Sequence, residues 1–210
     1  MELRWLGESC VAVRSADTTV LCDPYTDGAM AASVPLEADI VTLSTGRWPA
    51  VPLRPLLPQP RFVRGPGEYE LHGVVITGVA MPRADDRGQN TVYLIELGGV
   101  TICHLGYLDR APTASMLQAI GAVDLLLIPF SGAETLTAAQ AAEVVSEIEP
   151  RVVVPLILGA PTDAEALTPF YREMGVPHTA PQRRLTVAKS GLPDTLQVAA
   201  LTVEEPQAEG

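Results

Sequence analysis

The chain has 210 residues, enough for one sizeable core, and is 47% hydrophobic and 19% charged with few aromatics, a composition that excludes a disordered polymer and suits a globular α/β protein. Its formal net charge of −11 opposes nucleic acid and anionic membranes as partners, and no apolar run is long enough to span a bilayer.

Leu3 to Leu6, Cys10 to Arg14 and Thr19 to Cys22 are short apolar or β-branched runs separated by turn-forming residues, which predicts an opening meander of strands. Asp39 to Ser44 is a further strand. Pro49, Pro52, Pro55, Pro58 and Pro60 then rule out a regular helix and predict an ordered loop. Strand character resumes at Arg61-Phe62-Val63, turns through Gly65-Pro66-Gly67, and continues as Tyr69 to Val79 and Thr91 to Leu97; Gly98-Gly99 turns the chain into Val100 to His104.

From Thr113 the character changes to a helix ending at Ile120, a buried strand from Val123 to Pro129, a helix from Thr137 to Ile148 and a strand from Val152 to Leu156. Asp163 to Met174 reads as another helix, and Leu185 to Lys189 and Thr195 to Leu201 as closing strands. Two runs of strands with helices late in the chain predict two stacked sheets with helices outside. One domain is expected over residues 1–203, followed by a polar tail at 204–210.

Cys10, Cys22 and Cys103 lie in apolar segments without CxxC spacing, which favours buried free thiols and a reducing, cytoplasmic setting. His72, beside Gly73 in an expected hairpin, His104, and His178 in a late loop are too widely separated to supply metal-ligand spacing. No Gly-X-Ser-X-Gly elbow and no Walker-type phosphate loop is present.

Several separated motifs carry a resemblance that extends from Leu3 to Leu201. They are Trp5-Leu6-Gly7-Glu8-Ser9-Cys10, the Asp23-Pro24 turn, Gly65-Pro66-Gly67-Glu68-Tyr69-Glu70, Asn90-Thr91-Val92-Tyr93, and Ile102-Cys103-His104-Leu105-Gly106. The chain resembles the metallo-β-lactamase superfamily, in its single-domain branch of UlaG-like metal-dependent hydrolases. That resemblance implies an α/β fold of the α+β type, a four-layer αββα sandwich.

It also implies a His-X-His-X-Asp-His loop after the strand ending at Ser44, because clustered imidazoles and carboxylates hold divalent ions and leave a place for activated water. Here the aligned positions are Thr45, Arg47, Pro49 and Ala50. A family histidine is replaced near Arg83 and Ala84, the bridging carboxylate by Tyr107, and the late Pro-X-His by Ile157. The sequence therefore reads as a non-catalytic pseudo-hydrolase without a cofactor, kept as a ligand-binding or assembly module. The alternative is a hydrolase of ester, lactone or phosphodiester bonds with a rearranged site for zinc, iron, manganese or magnesium.

Arg47, Arg64 and Arg83 are candidates for binding a small anionic ligand through permanently charged guanidinium groups. Asp23, Glu68, Asp85 and Asp86 are candidates for a residual polar pocket with hard oxygen donors. A homo-oligomer is a third reading, built on sheet edges or apolar loops.

Overall fold

The computed structural model describes residues 1–25, 36–46, 55–57, 59–84, 88–131, 134–158 and 164–204. Six strands form the first sheet, in the order β14-β1-β2-β3-β5-β7. They are β1 (Glu2–Trp5), β2 (Val11–Ser15), β3 (Thr18–Cys22), β5 (Ile40–Leu43), β7 (Arg61–Arg64) and β14 (Leu185–Thr186). Seven more form the second, in the order β15-β13-β12-β11-β10-β9-β8. These are β8 (Gly67–Leu71), β9 (Val74–Pro82), β10 (Gln89–Leu97), β11 (Val100–His104), β12 (Leu125–Phe130), β13 (Val152–Ile157) and β15 (Gln197–Val198).

Pairing follows from the connections. Hairpin-linked β8 to β11 are antiparallel, whereas β11, β12 and β13 run parallel because helices α1 (Ala114–Ile120) and α2 (Ala138–Ile148) make the crossovers. Every residue of β12 and β13 is buried, the pattern of strands covered on both faces. Helix α2 buries Ala141, Val144, Val145 and Ile148 and packs on β12 and on α3 (Thr168–Met174). Thr113 and Thr137 cap α1 and α2 by accepting the Met116 and Gln140 amide protons, each cap stabilising its helix by about 1 kcal/mol.

The core runs between the sheets, from Leu3, Trp5, Val13, Leu21 and Ile40 on one side to Ile76, Ile95, Ile102 and Leu127 on the other. This is the α/β sandwich expected, although the described α-helices all come from the second half of the chain. No helix among the described residues is long and apolar enough to cross a membrane.

Several local expectations need correction. Within the proline-rich stretch, β6 (Leu56–Leu57) pairs in parallel with β4 (Leu36–Glu37), because prolines flank these residues without removing their own donors. The run Tyr69 to Val79 is two strands joined by the hairpin expected at His72-Gly73, where His72, at φ 51°, and Gly73, at φ 74°, make a tight turn. The closing strands shrink to two residues each, since Lys189–Gly191 forms a 3₁₀ turn between them. Asp163 lies outside the described residues, and the helical stretch after it opens as 3₁₀ at Ala164–Leu167 before becoming α3. Glu204, assigned to the tail, is anchored: its amide donates to the Trp5 carbonyl at 2.8 Å, and its carboxylate meets Arg4 and Arg184.

Candidate functional site

The two sheets are stitched together at the carboxyl end of β5. The Thr91 amide donates to the Ser44 carbonyl at 2.7 Å, and Thr45 bridges to Asn90. Tyr93, fully buried, donates its hydroxyl proton to the Leu43 carbonyl at 2.9 Å and accepts from the Gly65 amide at 3.0 Å, so one phenol ties the ends of β5 and β7. Asn90 works the same way from β10: its amide donates to the Leu105 carbonyl, and its oxygen accepts from the Tyr107 amide, both at 2.9 Å. A side chain on Gly106 would overlap Ser44 and come within 2.7 Å of the Asn90 oxygen; with φ at 61° as well, only glycine suits this crossing.

Beneath that junction lies a buried polar line. Asp23 accepts the Ser44 amide proton at 2.7 Å through Oδ1, which fixes how the chain leaves β5; its Oδ2 faces His104 Nδ1 at 4.0 Å. His104 Nε2 lies 3.1 Å from Ser9 Oγ and 3.0 Å from the Ser9 carbonyl, while Ser9 Oγ also lies 3.0 Å from the Gly106 carbonyl. The single Ser9 hydroxyl proton goes to that carbonyl, which accepts only, so His104 carries its proton on Nε2 and leaves Nδ1 bare. Burial pushes the Asp23 carboxyl above its ordinary range and the His104 imidazole below its own, so both favour the neutral form; neighbouring His104 and the Ser44 and Ser9 groups only partly offset the effect on Asp23.

Tyr107 is buried at the position expected for a bridging carboxylate, edge-on to Tyr25 with ring centroids 6.3 Å apart, and Tyr25 donates to the Thr45 carbonyl at 2.6 Å. Arg83 is nearly enclosed and faces Asp109 at 3.5 Å and Glu134 at 3.2 Å; Asp109 also accepts the Ala84 amide proton. Ile157 is a core residue at the end of β13. Glu68 stands exposed on edge strand β8, apart from buried Asp23, so these two do not share a pocket. Arg47, Pro49, Ala50, Asp85 and Asp86 lie outside the described residues.

A cleft of about 310 Å³ opens at the carboxyl ends of β5 and β7, lined by Ser44, Thr45, Arg64, Gly65, Gln89 and Thr91 among others. Thus Thr45 and Arg64 share one cleft while Arg83 faces elsewhere. Open α/β sheets bind ligands just outside the carboxyl ends of their strands, because backbone groups and loops converge there. The sequence reading missed Ser9, Ser44, Asn90, Asp109 and Glu134. A signal existed for Asn90, a polar residue just ahead of the apolar run Val92 to Ile95 in β10, and for Asp109, two positions after Tyr107.

Among the described residues, no group of three or more His, Cys, Asp or Glu is placed to hold a metal ion. Asp23 and His104 come nearest, but two fully buried donors provide neither a third protein ligand nor the open position that a hydrolytic ion keeps for water. The described residues therefore do not fit such an ion by themselves. Cys10, Cys22 and Cys103 are buried and form no disulfide, and burial pushes the Cys22 and Cys103 thiols far up, which makes those two unreactive.

Two stacked mixed sheets with the cleft at their strand ends define a protein of the metallo-β-lactamase fold class. The model of the β-lactamase superfamily domain matches residues 2–157, and the chain belongs to that family. It is 27% identical over 187 residues to a UPF0173 protein of Pyrococcus furiosus, covering 79% of this chain and 87% of the relative. A UPF0173 metal-dependent hydrolase of Thermococcus onnurineus is 33% identical over 96 residues, 43% of each chain. A proposed Zn-dependent hydrolase of the metallo-β-lactamase superfamily from Thermotoga maritima superposes with a TM-score of 0.75 at 26% identity, over 95% of this chain and 97% of that one.

These relatives correct the expectation of a non-catalytic, cofactor-free module whose metal site is lost. A relative of this chain is named a metal-dependent hydrolase and a solved structure like it a proposed Zn-dependent hydrolase, names that point to a divalent metal cofactor. The alternative drawn from the sequence is the better supported one.

Proposed function

We propose that the chain is a metal-dependent hydrolase of the metallo-β-lactamase superfamily, acting on an ester, lactone or phosphodiester bond with a donor set rearranged from the family pattern. The observation that carries this reading is the family match over residues 2–157, whose named relatives include metal-dependent hydrolases. The cleft at the carboxyl end of β5 supports it by offering a place for substrate beside Thr45, where the family pattern puts its first ligand loop. Asp85 and Asp86 are the carboxylates that the sequence offers for the rearranged set.

The described side chains argue against a covalent route. Ser9, His104 and Asp23 lie in line, but Ser9 is fully buried and its proton is committed to the Gly106 carbonyl, so it is no nucleophile. The Cys22 and Cys103 thiols are equally inert. What the described residues supply is position: Asp23 sets the Ser44 amide, Asn90 sets Tyr107, and Tyr93 holds the two strand ends that bound the cleft. We place the protein in the cytoplasm, in keeping with three buried cysteines that form no disulfide.

The test is turnover of a panel of aryl esters, lactones and bis-aryl phosphodiesters by protein purified without chelator. Hydrolysis of at least one class is expected, abolished by chelation, restored by one divalent metal, and lost in the Asp85→Ala/Asp86→Ala double variant. No turnover of any class with zinc, iron, manganese or magnesium would overturn the reading.

A further inference from the structure

The cleft at the ends of β5 and β7 carries a positive charge in a molecule that is otherwise strongly acidic. The chain has 25 Asp and Glu against 14 Lys and Arg, and most described basic side chains near the sheets face a carboxylate: Arg4 and Arg184 meet Glu204, Arg83 meets Asp109 and Glu134, Lys189 meets Asp124. Arg64 meets none among the described residues. Its guanidinium lies instead 5.0 Å from the centroid of the exposed Phe62 ring, a contact that restrains it without neutralising it.

Among the described residues, no acidic side chain lines the cleft. Its polar lining is neutral: Thr45, Gln89, Thr91 and Ser44 offer hydroxyl and amide groups, and Gly65 contributes backbone at the same end. Thr45 adds a second, independent observation. It is 8% exposed, and its hydroxyl oxygen has no hydrogen-bond partner among the described residues, an arrangement that costs free energy unless something else supplies the bond.

We propose that this cleft is an anion-recognition subsite, in which Arg64 receives one monoanionic group of the substrate, a carboxylate or a phosphodiester, with Thr45, Gln89 and Thr91 as neutral partners. The inference rests on the hydrolase reading for its place beside the bond to be cleaved, and it narrows the substrate to anionic esters. The planar fork of a guanidinium matches two oxygens of either group, and one fixed positive charge balances one negative charge. Because the net charge of −11 repels anions at long range, recognition has to be local, and an arginine facing no carboxylate among the described residues, in a cleft whose described lining is otherwise neutral, provides that.

The experiment is an amide-resolved NMR titration of the intact protein with dimethyl phosphate and, separately, with acetate. Saturable shifts of the Gly46, Gly65 and Thr91 amides are expected with at least one probe, and the tighter arm tells phosphodiester from carboxylate. Arg64→Gln is expected to weaken binding at least about tenfold, the loss of a charge-assisted bond, with Arg64→Lys intermediate. Arg172→Gln, an exposed change on α3, should leave binding unchanged.

Absence of saturable shifts with both probes, or equal affinity in Arg64→Gln, overturns the inference. The readout is binding, so the two readings fail separately. Turnover of neutral esters without anion binding sinks the subsite alone, and anion binding without turnover of any ester sinks the hydrolase alone.

Discussion

Asp23 is an acid held where ionisation is costly. Its Oδ1 accepts the Ser44 amide proton and its Oδ2 looks across 4.0 Å at His104, whose own burial disfavours its charged form, so the neighbouring imidazole offsets the desolvation of a carboxylate only in part. The folded chain therefore holds the Asp23 proton to higher pH than the unfolded chain, whose carboxyl titrates near 3.8. The stabilisation this gives is fully present below that value and is lost as pH rises through the raised folded value. Asp23→Asn keeps an acceptor for Ser44 and cannot ionise. Its melting temperature relative to the wild type is thus expected to climb between about pH 4 and about pH 8, and a flat difference over that range contradicts a buried, neutral Asp23. At this scale the sequence was partly legible. Asp23 stood out because it precedes a proline after an apolar strand, whereas its link to Ser44, Ser9 and His104 depends on three strands meeting, which no local pattern encodes.

Between elements, the segment following β11 is fastened to the end of β9 through Asp109, not through the tyrosine that takes the family's carboxylate position. Asp109 is nearly buried, accepts the Ala84 amide proton and faces Arg83; Arg83 in turn reaches Glu134 beyond β12. Removing Asp109 strands an almost enclosed guanidinium, whereas Glu134 is 63% exposed and water can replace it. Asp109→Ala is expected to cost about 3 kcal/mol in urea unfolding, and Glu134→Gln less than about 1 kcal/mol; equal small effects would show that the segment is held some other way. The helices and central strands were legible because 3.6-residue spacing, Thr caps and uninterrupted apolar runs are local signals, as in α2 and β12. The turn at His72-Gly73 was legible too, from its glycine and the shift of the apolar alternation across it. The shortness of β14 and β15 was not, because edge pairing depends on what lies beside the strand.

For the whole molecule, two sheets joined at Ser44-Thr45 and Asn90-Thr91 bring one end of the first half against the second and open a cleft there. The fold was legible in the sequence because its motifs are spread along the chain, and the family match over residues 2–157 agrees with them. The functional reading drawn from the same motifs went wrong because ligand losses were scored position by position, at Thr45, Tyr107 and Ile157. A donor set can be rebuilt from other side chains, and spacing in sequence does not reveal which ones converge. The central claim is that this chain binds a divalent metal and hydrolyses with it. Elemental analysis by mass spectrometry on native protein, purified without chelator or added metal and assayed in parallel, tests it most directly. Near-stoichiometric zinc, iron, manganese or magnesium, lost together with hydrolase activity on chelation, is the result expected; metal-free protein whose activity neither chelator nor added metal changes would contradict it.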